Sequence, residues 1–376
     1  MGLETMVKRV LFLTPFRPGK FAGGHNYTRL LLQRLAEKDF HIDLLYYKYN
    51  SDPLYDNPDK SRIKVLKVCK ISLLSKLFNA LKIPFFHPIF TVRFSWLNLF
   101  FLKRITKKNH YDIIYLDHPQ MYLYGYFFKQ PKILMAHDVM AQRYERLSSN
   151  LVQKIVKAGE KFFMGMNDCT IFSFSSKDAD LIRKYYGLDS KVTNFFIDDK
   201  IQDLPKPELK DYVVFFGKWD RDDNLDGLKW FFSDVYQKIN NPVKIYIIGV
   251  ALPEDFQNKL RNYPNVEYLG FVDNPYGIIA NAKAMFAPLF SGAGVKVKVV
   301  ESLACGTPVI GNKISFEGID EDYREFMISA TTPKDYVQAI ENLDFCLERR
   351  ILFREKFLKK YNSQSVVNYL EGISNV

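Results

Sequence analysis

Residues 283–318 read KAMFAPLFSGAGVKVKVVESLACGTPVIGNKISFEG. Ala284 to Leu289 is a short apolar run with Pro288 near its end, suited to a buried parallel strand. Ser291-Gly292-Ala293-Gly294 follows with almost no side chains, so its backbone amides can face a ligand closely. From Val295 to Cys305 the apolar residues Val295, Val299, Val300, Leu303 and Ala304 repeat at helical spacing. Gly306 stops that helix, Pro308 keeps it stopped, and Thr307 to Gly311 opens another strand. The stretch therefore reads strand, glycine loop, helix, strand. A glycine loop feeding a helix N-terminus is an anion site, because unpaired N–H groups and the helix dipole both point at it.

Lys298 and Glu301 are three residues apart and share a helix face, with Lys298 in the first turn. Lys296 lies about 140° around the helix from Glu301 and is the weaker candidate for the same ligand. A cation at a helix N-terminus is misplaced by roughly 0.3–1 kcal/mol unless an anion is bound there. A carboxylate one to two turns in suits the two hydroxyls of a ribose. Phosphates at the loop and a sugar diol at Glu301 describe a nucleotide diphosphate. The same residues also fit an ordinary αβ turn with solvated lysines and an ion pair.

The stretch from Pro288 to Gly318 resembles the donor-site signature of retaining glycosyltransferases of family 4, which have the GT-B architecture. That resemblance implies an α/β fold of two facing Rossmann-like domains with parallel sheets and an interdomain cleft. The common family pattern is a Glu, seven residues and a second Glu. Glu301 takes the second position and Ala293 stands at the first, as in a branch of the family with Gly-Ala-Gly in this loop. Backbone amides at Gly292, Ala293, Gly294 and Val295 then become the implied donor contacts, with Lys296 and Lys298 beside them.

A length of 376 residues suits two domains, and 47% hydrophobic residues can fill two cores. Four widely spaced cysteines without a CxxC pair argue against a zinc site or a disulfide framework. No signal-peptide core opens the chain and Met6 breaks the myristoylation pattern, so a cytoplasmic location is expected. The net charge of +11 is uneven. Residues 1–200 carry 32 Lys and Arg against 18 Asp and Glu, whereas 201–376 carry 21 against 24. Within 60–110 there are twelve basic residues and no acidic one, interleaved with ISLLSKLFNALKIPFF and FTVRFSWLNLFFLKR. Such a stretch suits a helix on an anionic membrane surface, and also a core helix with a solvated basic face. Pro84, His87, Pro88 and Arg93 break the apolar run, which argues against a spanning helix. No helix-turn-helix, zinc or RNA-binding pattern supports a nucleic-acid partner.

The chain opens with a strand at Lys8 to Leu13, a loop ending in Gly23-Gly24, and the helix HNYTRLLLQRLAEK, giving a second glycine-lined helix start. It resembles the first βαβ unit of the same family, whose loop, here with Gly24, reaches toward donor phosphates and acceptor. Gly-Gly is not the GxGxxG fingerprint of nicotinamide enzymes. YDIIYL and KILMA (132–136) read as buried strands, the second running into His137-Asp138. Strand carboxyl ends are where ligands bind in open α/β sheets. The resemblance implies that His137 contacts the transferred sugar, while Asp138 orients it, caps the next helix or serves as acceptor base. Asp117-His118 ends the neighbouring strand as a lesser candidate. YVVFF (212–216) opens the second domain, and Lys218 falls where the family places a cation for the diphosphate, with Asn224 where a second lysine would fall. Lys298 is the expected replacement. Val272 falls where the family has a base-contacting backbone.

The expected organisation is an acceptor-binding domain over 1–198, a linker over 199–211, a nucleotide-sugar domain over 212–360, and a helix over 361–376 that crosses back. The expected activity is metal-independent and cofactor-independent transfer of a sugar from a nucleotide diphosphate sugar, with retention. A saccharide or lipid-linked saccharide of a bacterial surface polysaccharide is the expected acceptor, reached from the inner face of the membrane. A nonhydrolysing sugar-nucleotide epimerase and an inactive partner of another transferase are the alternatives.

Overall fold

The structure is a computed structural model that describes residues 8–20, 23–72, 86–166, 168–240, 243–344, 346–361 and 365–372. The chain divides into two compact units, 1–194 with 364–376, and 195–363. Both are parallel α/β sheets of the Rossmann type.

Among the described residues the first unit has seven strands: β1 (Arg9–Thr14), β2 (His41–Tyr49), β3 (Ile63–Ile71), β4 (Ile113–Asp117), β5 (Lys132–Ala136), β6 (Cys169–Ser173) and β7 (Ser190–Val192). Their order is β3-β2-β1-β4-β5-β6-β7, every pair parallel. β4 and β5 are buried at every position, as strands covered by helices on both faces must be. Strand order reverses between β1 and β4, so the ligand-binding crevice of such a sheet falls beyond Thr14 and Asp117. The last helix, Ser365–Gly372, belongs to this unit. It buries Val366, Val367 and Leu370, and its Tyr369 hydroxyl lies 2.7 Å from Thr170 Oγ1.

β3 corrects the reading of 60–110 as one membrane-surface stretch. Its first third is the edge strand beside β2, with Ile63, Cys69 and Ile71 buried and Lys64 and Lys70 exposed. Lysines on an edge strand deter pairing with another chain, which accounts for part of the basic excess. Residues 73–85 of that stretch lie outside the described residues. Trp96–Lys108 is a helix that buries Leu99 and Leu102 and exposes Trp96, Leu97 and Phe100.

The second unit has β8 (Tyr212–Phe216), β9 (Lys244–Ile248), β10 (Val266–Gly270), β11 (Ala284–Ala287), β12 (Val309–Gly311) and β13 (Met327–Ser329). Their order is β10-β9-β8-β11-β12-β13, again all parallel. Here the reversal falls between β8 and β11. Residues 199–211, expected as a linker, are packed into this unit rather than strung out. Ile201 is fully buried, and Arg354 donates to the carbonyls of Ile201, Gln202 and Leu204. Two prolines suggested a linker, but an arginine 150 residues away supplies the bonds that order it. Among the described residues no helix is long and apolar enough to cross a membrane.

Candidate functional site

Each unit gathers polar side chains at its own switch point. In the first, Asp117 is the centre. It is fully buried at the end of β4 and accepts from Thr14 Oγ1 (2.8 Å), from Thr28 Oγ1 (2.7 Å) and from His137 Nε2 (2.6 Å). Register explains the meeting. Asp117 pairs with Met135 across β4 and β5, and side chains alternate, so His137 returns to the same face two residues later. Burial pushes the Asp117 carboxyl up, but the His118 and His137 imidazoles and the donated hydrogen bonds outweigh it and hold the acid well below its ordinary range. An ionised Asp117 keeps a proton on His137 Nε2 and turns Nδ1 toward Gly24.

His118 stacks flat on His137, with ring centroids 3.4 Å apart and 10° between planes. Burial, then the neighbouring His137, depresses the His118 imidazole well below its ordinary value. Its backbone has φ 64° and ψ 156°, a region nearly reserved for glycine, at a cost of order 1–3 kcal/mol. Asp117, His118 and His137 bring three ligand atoms within 4.8 Å of one another, a spacing a cation can use. Imidazole lone pairs lie in the ring plane, so with the two rings stacked 3.4 Å apart and nearly parallel an ion in the plane of one is out of the plane of the other.

Gly23 and Gly24 are the first residues of the helix Gly23–Glu37, not a loop before it. Gly24 is needed for space: a Cβ there would meet His118 Cε1 at 3.2 Å and His137 Nδ1 at 3.4 Å. The carboxylate bonded to His137 Nε2 is Asp117, and Asp138 lies 3.8 Å from Arg143. The first amides of the next helix (Met140–Leu147), Met140 N and Ala141 N, donate to buried Glu160 at 2.9 Å each. Sequence reasoning ranked Asp117 low and missed Thr14, Thr28 and Glu160. Asp117 ended a predicted strand, which was the available signal.

In the second unit the glycine loop leaves β11 beside the loop leaving β8. Gly292 and Gly294 have φ of 107° and 66°, which only glycine adopts readily. The helix that follows is Val297–Ala304, with Lys296 at its N-cap and no acidic residue in its first turn. Lys298 Nζ donates to Asn224 Oδ1 at 2.7 Å, and Asn224 Nδ2 donates to the Lys218 carbonyl at 2.8 Å. The position where a family lysine was expected thus holds the amide that steers Lys298. Burial brings the Lys298 ammonium down to about 7, with Asp223 opposing. Lys218 itself is ion-paired with Asp220 at 2.9 Å, on a loop anchored by buried Trp219, whose indole donates to the Ile248 carbonyl. Lys296 turns onto the loop, donating to the carbonyls of Gly294 (2.6 Å) and Ala293 (3.2 Å), with Glu317 at 3.7 Å. Its contacts therefore hold the loop's shape.

Glu301 accepts from the Tyr276 hydroxyl at 3.0 Å, and burial lifts its carboxyl to about 7. Tyr276 was not legible as a partner, because it comes from a separate helix, Tyr276–Asn281. Val272 is half-buried just beyond β10. A buried arginine, Arg350, ties the helix ends of this unit by donating to the carbonyls of Ala280, Ala282 and Gly306.

Comparison with known proteins bears on the fold. Residues 21–194 match the family model described as Glycosyltransferase Family 4, and residues 210–344 match that described as Glycosyl transferases group 1. No match to a curated protein was found. Sucrose-phosphate synthase from Thermosynechococcus elongatus superposes with a TM-score of 0.71 at 16% identity, over 98% of each chain. HepE from Anabaena, solved in complex with UDP and glucose, gives 0.66 at 14% identity over 98% of this chain and 100% of its own. WaaG, a glycosyltransferase involved in lipopolysaccharide biosynthesis, gives 0.63 at 12% identity over 97% of this chain and 98% of its own. The fold is GT-B.

Proposed function

We infer that this chain, a GT-B glycosyltransferase by the matches of its two domains, moves a sugar from a nucleotide diphosphate donor to a saccharide acceptor with retention and without a metal. The observation that carries the donor reading is the group around the glycine loop. Two left-handed glycines open a helix whose first turn holds Lys298, steered by Asn224, with Glu301 on the same face. The diphosphate takes the loop amides, Lys298 and Lys218. The ribose takes Glu301, whose orientation Tyr276 fixes. Charge-assisted hydrogen bonds to phosphate contribute about 1.5–3 kcal/mol each, and those lysines stabilise the diphosphate as it leaves. In the first unit, His137, oriented by Asp117, serves the transferred sugar and the acceptor.

HepE, with UDP and glucose, and WaaG, of lipopolysaccharide biosynthesis, support a uridine nucleotide sugar and a surface-polysaccharide acceptor. A lipid-linked acceptor fits the exposed aromatic face of the first unit. Trp96 contacts Phe127, Phe127 contacts Tyr126, and Tyr126 contacts Phe162, all with centroids within 5.7 Å, joining two helices that also expose Leu97, Phe100, Leu151 and Ile155. Contiguous exposed apolar surface of this kind marks an interaction site.

A thermal-shift panel of uridine, guanosine, adenosine and thymidine diphosphates and their sugars tests the donor reading. One nucleotide at a hundredfold excess over its dissociation constant adds about 2.7 kcal/mol to wild-type stability. Glu301→Ala removes most of that shift. A flat panel for the wild type, with and without saccharide acceptors, refutes the reading.

A further inference from the structure

The first unit contains a cavity of about 290 Å³ between the edge strand β3 and the turn that enters the helix Trp96–Lys108. Lys67, Lys70, Arg93, Ser95, Tyr47 and Asn98 line it, and none of the described lining residues is a carboxylate. Arg93 is only 6% exposed, and its Nε has no hydrogen-bond partner. A buried guanidinium without a carboxylate is costly unless an anion visits it. The helix that starts at the cavity is 13 residues long and has no acidic residue in its first turn. Its N-cap residue, Ser95, makes no side-chain cap bond, so amides and dipole at that end are open to an anion. The wall is rigid: Asn98 Nδ2 donates to the Tyr47 hydroxyl (3.0 Å) and to Cys69 Sγ (3.3 Å), and the Tyr124 hydroxyl accepts from Ser95 N (2.8 Å).

The cavity is joined to the histidine pair. The Arg93 guanidinium lies 6.0 Å from the Phe16 ring centre, and Phe16 meets the His118 ring edge-on at 5.3 Å. His118 in turn stacks on His137.

We propose that this cavity binds an oxyanion carried by the acceptor, a phosphate or a sugar carboxylate, through Arg93, Lys67, Lys70 and the N-terminus of the helix Trp96–Lys108. The link to an acceptor rests on the transfer reading above; the anion site does not. A charged acceptor would thereby be told from a neutral one by a group distant from the hydroxyl that reacts.

Titration calorimetry with inorganic pyrophosphate and with glucuronate tests it, on wild type, Lys67→Gln/Lys70→Gln, Arg93→Gln and Lys298→Ala. The lysine pair sits on an edge strand and folds even where Arg93→Gln does not. Expected is a binding event for one of the two anions that the lysine double variant weakens about tenfold and Lys298→Ala leaves in place. Pyrophosphate as that ligand identifies phosphate chemistry, and glucuronate identifies a carboxylate. Affinity for both anions that is equal in wild type and the lysine variant overturns the site, whatever the enzyme transfers. Lost anion binding in the variant, with no transfer detectable in wild type, keeps the site and sinks the transfer reading.

Discussion

Asp117 carries the site of the first unit, because three donors on three segments converge on one buried carboxylate. Its neighbours could not be read from spacing along the chain. His137 and Asp138 are adjacent in sequence, which left Asp138 open as an orienting group, a helix cap or an acceptor base. Strand register instead places Asp117 on the face to which His137 returns, and Thr14 of β1 beside it. Asp117→Asn keeps the volume but lets His137 lose its fixed tautomer, and should lower kcat by about 100-fold or more. Nucleoside diphosphate binding, measured by thermal shift, should stay unchanged. Gly24→Ala pushes a methyl into both imidazoles and should have the same signature. A loss of nucleotide binding in either variant would contradict the assignment of these residues to transfer rather than to the donor.

Lys298 adds a pH dependence at the same scale. Its ammonium, brought down to about 7, is charged below that value and neutral above it. Binding of a diphosphate needs the charged form. Affinity of the wild type should therefore fall as pH rises above 7, by up to tenfold per unit. Lys298→Ala should bind weakly and lose that slope. Equal slopes in the two proteins would remove Lys298 from the diphosphate site.

Among the elements, the glycine loop was legible almost residue by residue, since glycines needing positive φ, a helix face and a stop glycine are local signals. Gly294→Ala forces an L side chain into φ 66° and should cost about 1–2 kcal/mol together with most donor affinity. The helix Met140–Leu147 behaves differently. Its cap is Glu160, twenty residues from Met140, which takes two amides and the Tyr186 hydroxyl and is fully buried. No capping motif at the helix start announces it. Glu160→Ala orphans those donors and should destabilise the first unit by about 2–5 kcal/mol in urea unfolding. Burial lifts the Glu160 carboxyl from 4.5 to about 7, so the folded state holds its proton longer than the unfolded chain does. The contribution of Glu160 is then full below about pH 4.5 and falls as pH rises through 7. The stability gap between wild type and Glu160→Ala should narrow across that window by up to about 3 kcal/mol. A gap that widens with pH would mean the ionised carboxylate is the better cap.

For the whole molecule, the two-domain parallel architecture was readable because buried parallel strands are near-continuous apolar runs ending in glycine or histidine. The edge strand β3 was hidden, since its lysines made the segment look like a surface helix. The same basic excess still needs an explanation beyond edge protection, because residues 1–200 carry a net charge of +14 and 201–376 carry −3. On the helix Asn150–Met164, exposed Leu151, Ile155 and Phe162 run beside exposed Lys154 and Lys161. The helix Trp96–Lys108 repeats the pattern with Leu97 and Phe100 against Lys103, Arg104, Lys107 and Lys108. Apolar side chains edged by lysines fit the boundary of an anionic bilayer, where each cation near the surface is worth about 1 kcal/mol. The protein should sediment with phosphatidylglycerol vesicles at low salt and release as screening shortens the reach of its charges. Leu97→Glu/Phe162→Glu should abolish sedimentation while leaving the nucleotide thermal shift intact, since neither residue lies in the second unit, where the donor is proposed to bind. Equal sedimentation with neutral and anionic vesicles would separate the charge from the membrane and return the basic face to the solvent.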